Sequence, residues 1–328
     1  MIWSTPKIEL KPLMEIEETR PVGLVYSGPA LQAIESKLNL PIAWKMEVGQ
    51  ARREAWDRQM NDFQGEVVYA VGGGLPADAA KYIAACKSLP MVCIPTALSV
   101  DAHFTWASGI REQGCVYYIE TKPPDTLVVD LDVIAAAPEW IRAVGICDVF
   151  SIATGSWDWR FAAGRAKNPA GMEFKPYAER VARAILEGAL DCAEAAGRGD
   201  REGLKQLLDC LVLEVQLTNQ LGHARPEEGS EHYFAYSVEN ETGPGWPHAD
   251  LLGPGILLVM TLQDQDTQRM RQALKNAHIP LNRIPETVVK RTLYDLSTYC
   301  NEHELPYGIA HELSSEQVEK LDVAAVLV

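Results

Sequence analysis

The apolar run Val67-Val68-Tyr69-Ala70-Val71 stops on three glycines, Gly72-Gly73-Gly74. A short continuous run of this kind reads as a strand buried on both faces, the mark of a parallel sheet covered by helices. Glycines at its carboxyl end permit a tight turn. They also let main-chain N–H groups approach a phosphate with no Cβ in the way. Leu75-Pro76 suits a first helical turn, where the missing proline N–H is not needed, and Asp78 and Lys81 follow on the expected helix. The spacing is neither the dinucleotide fingerprint G-x-G-x-x-G nor a P-loop. A strand-to-helix turn with no ligand accounts for the same residues.

The surrounding segments keep the alternation. Residues 23–26, 41–48, 91–94 and 127–130 carry strand signals, and residues 30–38, 51–64 and 77–86 carry helix signals. A β-α-β-α-β order implies parallel strands joined by right-handed crossovers. Residues 104–110 and 116–120, with a turn between them, read as a hairpin. Beyond about Pro138 the strand signals fade. Val181, Ile185, Ala189 and Cys192 fall at helical spacing, as do Leu204, Leu207, Leu208, Leu211 and Val215. Further helices are expected over 263–277, 285–299 and 314–321. The expectation is an α/β chain. Residues 1–140 would form a Rossmann-like parallel-sheet nucleotide domain with a β-hairpin, and residues 141–328 an all-helical metal and substrate domain.

Composition narrows the function. With 47% hydrophobic and 23% charged residues the chain can bury a sizeable core. A net charge of −15 disfavours a nucleic-acid binder, which needs a basic face, but leaves a local nucleotide pocket open. The apolar stretch 251–262 is too short to insert across a bilayer, and the acidic amino-terminal segment lacks a signal-peptide core. Seven scattered cysteines without a C-x-x-C pattern fit buried thiols in a reducing, cytoplasmic setting. Self-association into a homo-oligomer is open, and nothing selects a symmetry.

Three positions in the helical half offer metal chemistry: Asp148, His232 and His248. One carboxylate and two imidazoles can hold a divalent ion and leave a coordination position where a substrate oxygen is polarised. Spacing alone does not select these three among seven histidines. A hydrogen-bonded His232 on an amphipathic stretch and a His248 at a helix start fit equally.

The ordered pieces are more specific together. They are G-G-G-x-x-x-D-x-x-K at 72–81, Ile94-Pro95-Thr96-Ala97-Leu98-Ser99-Val100-Asp101, and Val128-Val129-Asp130 followed by Gly145-x-x-Asp148. Gly229-Ser230-Glu231-His232 and His248-Ala249-Asp250-Leu251-Leu252-Gly253 complete the set. In this order the chain resembles the iron-containing alcohol dehydrogenase and dehydroquinate synthase superfamily. Within it the chain looks most like the glycerol-1-phosphate dehydrogenase and glycerol dehydrogenase branch. The resemblance implies a two-domain dehydroquinate synthase-like fold with a cleft between the domains. It implies Asp148, His232 and His248 as ligands of zinc, with nickel or iron as alternatives. Gly72, Gly73, Gly74 and Asp78 would form the pyrophosphate loop of NAD or NADP, and Thr96 and Ser99 would line the dinucleotide. Asp101 and His103 would orient substrate hydroxyls or relay a proton; a solvent-facing His103 opening the hairpin is the alternative.

The implied activity is metal-dependent, NAD(P)-linked oxidation of a secondary hydroxyl on a small polyol or polyol phosphate. The departures cluster around the substrate: Leu75-Pro76 after the glycines, Val100-Asp101-Ala102, Tyr236, and His248-Ala249-Asp250. Pro254 predicts a kink or early break in the helix after His248. Tyr26-Ser27-Gly28 offers no acid for a ribose 2′-hydroxyl, so NAD and NADP both remain. Arg111, Lys122, Arg160 and Arg165 are the candidate phosphate partners. The competing readings are a carbocycle-forming lyase like dehydroquinate synthase, a non-haem iron oxygenase, and a family member with altered catalysis that only binds.

Overall fold

The computed structural model describes residues 2–327. Eight strands are present among them: β1 (Lys7–Leu10), β2 (Val22–Tyr26), β3 (Ile42–Glu47), β4 (Val67–Gly72), β5 (Met91–Pro95), β6 (Ala107–Glu112), β7 (Cys115–Glu120) and β8 (Thr126–Val129). Six of them form one parallel sheet in the order β1-β8-β5-β4-β2-β3, and β6 pairs only with β7, antiparallel. Every residue of β4 is buried, as its unbroken apolar run requires. β1 carries no comparable signal. Its Lys-Ile-Glu-Leu sequence is exposed at both ends, as suits an edge strand.

Helices α1 (Gly28–Ile34), α2 (Arg53–Gln59) and α3 (Gly74–Lys87) make the crossovers. From β2 the chain moves outward to β3, then returns to β4 and continues to β5 on the other side. The order therefore reverses between β2 and β4. Crevices at such a reversal, beyond the strands' carboxyl ends, are where open α/β sheets bind ligands. The turns flanking it are Ser27-Gly28 and Gly72-Gly73-Gly74.

From Leu131 onward every element is helical. Asp130 caps α4 (Leu131–Ala135) by accepting the N–H groups of Asp132 and Val133. Short α5 (Glu139–Arg142) and α6 (Ile146–Phe150) lead to α7 (Ile152–Gly164), α8 (Pro176–Arg198) and α9 (Arg201–Leu221). α10 (Ser230–Thr242), α11 (His248–Leu262), α12 (Gln268–Asn276), α13 (Glu286–Glu302), α14 (Ser315–Lys320) and α15 (Val323–Leu327) follow. None of these helices is long and apolar enough to cross a membrane.

The expected early break at Pro254 does not occur, since α11 runs through it. Its flanking glycines serve contact rather than a turn. A Cβ on Gly253 would lie 2.5 Å from Ile279 Cγ2, and one on Gly255 would lie 2.9 Å from the Glu231 carbonyl oxygen. The Gly-Pro-Gly sequence lets α11 approach the start of α10 closely.

The β6–β7 hairpin joins the sheet to the helices. Ser108 donates to the Asp78 carbonyl of α3 at 2.9 Å. On the other side Arg111 pairs with Glu239 at 2.5 Å, and Tyr299 donates to the Gly114 carbonyl at 3.0 Å. Beneath the hairpin Lys81 is fully buried, with Nζ 2.8 Å from Thr105 Oγ1 and 3.0 Å from Asp78 Oδ1, and it also donates to the Ala107 carbonyl. An ammonium at such depth survives only when fully bonded.

Candidate metal and nucleotide cleft

A cleft of about 800 Å³ runs between the carboxyl edge of the sheet and the helices. Its sheet side is built at the order reversal. Gly72 has φ of +133°, a conformation that L side chains rarely adopt, and a Cβ there would lie 3.1 Å from Ser27 Oγ. A Cβ on Gly74 would lie 2.9 Å from Val100 Cγ2. No side chain caps α3, so its first N–H groups and the positive end of its dipole remain available to an anion. Gly73, Gly74, Asp78 and Ser99 line the cleft.

Two of the proposed cofactor residues stand back from it. Gly72 lies behind the lining, where its carbonyl oxygen meets His103, and half-buried Thr96 lies outside the lining. Glu47, at the end of β3, extends its carboxylate to within 2.5 Å of where a Gly28 Cβ would stand. An acid absent from the end of β2 is thus supplied by the neighbouring strand.

The helical side brings together three residues separated by up to a hundred positions. Asp148 comes from α6, His232 from the first turn of α10, and His248 from the first residue of α11. Each offers one ligand atom, and these atoms all lie within 4.8 Å of one another. His248 Nε2 stands 3.3 Å from Asp148 Oδ1. The other Asp148 oxygen accepts the backbone N–H of Asp101 at 2.9 Å. His232 Nδ1 contacts Glu231 Oε1 at 2.8 Å, which leaves Nε2 for the centre of the triad. Glu231 in turn accepts the Gly229 N–H at 2.7 Å. A carboxylate hydrogen-bonded to the far nitrogen of a histidine fixes its tautomer and ring orientation.

Buried acids dominate the electrostatics here. Burial and then the Asp148 charge push the Asp101 carboxyl up to about 7. Burial opposes a charged His232, yet the Glu231 carboxylate overcomes it and raises the imidazole to about 9. Glu227 is raised well above its ordinary range by burial and by the charges of Asp101 and Asp148. Glu214, behind it, is raised by burial and by Glu227.

Asp101 lines the cleft, but His103 does not. His103 is fully buried, with Nε2 3.0 Å from the Gly72 carbonyl oxygen and Nδ1 3.2 Å from that of Val100. Burial pushes its pKa down, and the ring is held between the two backbone carbonyls. This corrects both sequence expectations for His103. It faces neither substrate nor solvent, but props the glycine turn from behind.

Of the four candidate phosphate partners only Arg111 reaches the cleft. Lys122 pairs with Asp125, Arg160 with Glu179 and Arg165 with Glu312. Residues the sequence did not single out also line the cleft: Tyr118, His223, Arg225, Glu227, Glu228 and Trp246. Tyr236 donates to Glu228 Oε1 at 2.8 Å and meets the Tyr118 hydroxyl at 3.0 Å. No local pattern marks these groups, because they come from the hairpin and from the irregular chain on either side of α10.

Comparison with known proteins agrees with this architecture. A family profile described as iron-containing alcohol dehydrogenase matches residues 27–138. A glycerol-1-phosphate dehydrogenase [NAD(P)+] of Methanothrix thermoacetophila is 29% identical over 237 residues, which are 71% of this chain and 66% of that protein. The matched stretch thus spans just under two thirds of that relative's length. A second relative of the same description, from Sulfurisphaera tokodaii, is 27% identical over 69% of this chain and 65% of its own. Among solved structures, a probable glycerol dehydrogenase from Sinorhizobium meliloti 1021 superposes with a TM-score of 0.70. The superposition covers 99% of this chain and 97% of that one at 16% identity, a likeness of fold. With its ordered motifs, its parallel sheet and its helical half, the chain is similar to the iron-containing alcohol dehydrogenases in its nucleotide half and shares their fold along its whole length.

Proposed function

We propose that this protein is a metal-dependent, NAD(P)-linked dehydrogenase acting on a secondary hydroxyl of a small polyol or polyol phosphate. The observation that carries the reading is the convergence of Asp148, His232 and His248 in the same cleft as the glycine turn. Their donor set suits a divalent cation such as zinc: one free carboxylate oxygen, two imidazoles, and a Glu231 that orients one of them. Such a cation, when bound, acts as a Lewis acid toward the substrate hydroxyl, and the nicotinamide accepts the hydride.

The chain's own residues supply position. Gly73, Gly74 and the start of α3 seat the pyrophosphate, with Ser99 and Asp78 beside it. Glu47 favours a ribose 2′-hydroxyl over a 2′-phosphate, hence NAD over NADP. Asp101, which lines the cleft, would accept a hydrogen bond from a substrate hydroxyl. In this reading residues 1–140 carry the dinucleotide and residues 141–328 the metal. A dehydroquinate synthase-like lyase would need a dense Lys/Arg pocket, whereas Arg111 and Arg225 are the lining's two arginines among the described residues.

The test is elemental analysis together with dinucleotide titration. About one metal per chain is expected, with its loss in His232→Ala because a three-ligand site cannot spare a ligand. Polyol-dependent NAD(P)H formation should disappear with it. Stoichiometric metal retained in that variant would remove the proposed site.

A further inference from the structure

The part of the cleft beyond the metal triad is lined by acids and aromatic rings rather than by cations. Asp101, Glu227, Glu228 and Glu239 face it together with Arg111 and Arg225. Both arginines are largely engaged within the protein. Arg111 is committed to Glu239 at 2.5 Å. Arg225 is only 2% exposed, donates to the Tyr307 carbonyl at 2.7 Å and to the Tyr233 hydroxyl at 3.2 Å, keeps Nε without a partner, and has Asp158 beside it. A phosphate would enter with its own negative charge among four acids and find an Arg111 already paired and one buried Arg225 N–H.

The acids are differently placed. Glu227 is 8% exposed, lines the cleft, and has no hydrogen-bond partner for Oε2. Glu214 behind it is 1% exposed, and neither of its oxygens has a partner. Glu228 spends one oxygen on the Tyr236 hydroxyl and keeps the other. Tyr236 is bonded to Glu228 and Tyr118 to Tyr236, and Trp246 lines the same cleft. Buried carboxyl oxygens without donors, in a cleft that also carries aromatic side chains, are complementary to an ammonium group.

We propose that the substrate is an amino-polyol, whose ammonium is held by Glu227 and Glu228 among Tyr118, Tyr236 and Trp246 while its secondary hydroxyl faces the Asp148–His232–His248 triad. This rests on the dehydrogenase reading above and names its substrate class. A primary ammonium provides three donors and one positive charge. That matches the open oxygens of Glu227 and Glu228 and offsets charge that a single divalent cation does not.

The test compares three probes that share a glycerol skeleton: 3-amino-1,2-propanediol, glycerol and glycerol 1-phosphate. Each is titrated calorimetrically into the zinc-loaded protein saturated with dinucleotide, and turnover is followed separately. The amine should bind about tenfold more tightly than glycerol, and the phosphate most weakly. Glu228→Gln, which keeps size and removes charge, should erase the preference for the amine over glycerol. Tyr236→Phe, which frees the second Glu228 oxygen, should retain it. Tighter binding of glycerol 1-phosphate, equal binding of amine and glycerol, or no detectable amine binding would overturn the proposal. Turnover of glycerol or its phosphate without a preference for the amine would leave the dehydrogenase reading standing. Absence of NAD(P)H formation from all three would count against that reading, while the binding order would still decide the substrate class.

Discussion

Asp158 offers a sharp test of how the metal side of the cleft is held. It is fully buried on α7 and accepts four hydrogen bonds. Oδ2 takes the Ser230 N–H at 2.8 Å and the Ser230 hydroxyl at 2.6 Å. Oδ1 takes the Ile309 N–H at 2.9 Å and the Gln263 side-chain amide at 3.1 Å. Glycines make the room, since a Cβ on Gly308 would lie 2.3 Å, and one on Gly229 2.9 Å, from Oδ2. Burial pushes the Asp158 pKa up, and the Ser230 and Ile309 donors hold it partly down. The side chain thus ties the start of α10, which carries His232, to α7 and to the segment before α14.

Asp158→Asn keeps the shape but replaces one accepting oxygen with an amide NH₂. Whichever way the amide turns, two donors lose their acceptor and face another donor. At about 1–3 kcal/mol per orphaned buried group, the loss is about 2–6 kcal/mol. That is a large part of a typical folding margin of ~5–15 kcal/mol. The assay is urea unfolding followed by tryptophan emission. Trp159, adjacent and fully buried, reports locally. The midpoint should fall sharply. A loss below about 0.5 kcal/mol would refute the view that this carboxylate organises the region.

Three other outcomes are expected. Glu231→Gln should weaken metal affinity by about 10–100-fold, read by competition with a chelator, because the carboxylate that orients His232 is gone; unchanged affinity would remove Glu231 from the metal's support. Glu47→Ala should raise NADP affinity relative to NAD, read by equilibrium binding of each dinucleotide, and an unchanged ratio would detach Glu47 from the ribose. Glu18 forms a fork with Arg20 at 2.7 Å and 2.9 Å, and the Arg20 hydrogen bond holds its pKa down at about 2. A depressed carboxyl stabilises the fold above its ordinary value near 4.5 and loses that contribution as pH falls toward 2. Glu18→Gln should therefore lower stability at pH 7 by under ~1 kcal/mol, given the exposed partner. Thermal unfolding should show the gap closing between pH 5 and pH 3, and a gap that widens there would reverse the assignment.

The sheet was legible where burial forces an unbroken apolar run, as in β4, β5 and β8, and where glycine or proline ends it. β1 was not, because an edge strand can be half polar. Helices α8 and α9 announced themselves by periodicity. The early break expected at Pro254 did not follow, because Gly255 beside it marks a close approach to α10, a tertiary fact that local sequence does not encode. The triad residues could be named only through their ordered motifs, since no spacing rule brings positions 148, 232 and 248 together. His103 was misread because its partners are backbone carbonyls, which leave no trace in side-chain chemistry. Glu214, Glu227 and Asp158 look like ordinary surface acids until the fold encloses them.

The bond from the Asp101 N–H to Asp148 has a thermodynamic implication. Gly145, three residues before Asp148, also donates to the Leu98 carbonyl at 2.9 Å, and its Cα leaves so little room that a Cβ would lie 2.8 Å from the Val100 nitrogen. The loop bearing Ser99 and the short helix bearing Asp148 are therefore ordered together. An ion that fixes one pre-organises the other, so ion loading should strengthen nucleotide capture. Reciprocity then requires the nucleotide to raise the affinity for the ion by the same coupling free energy.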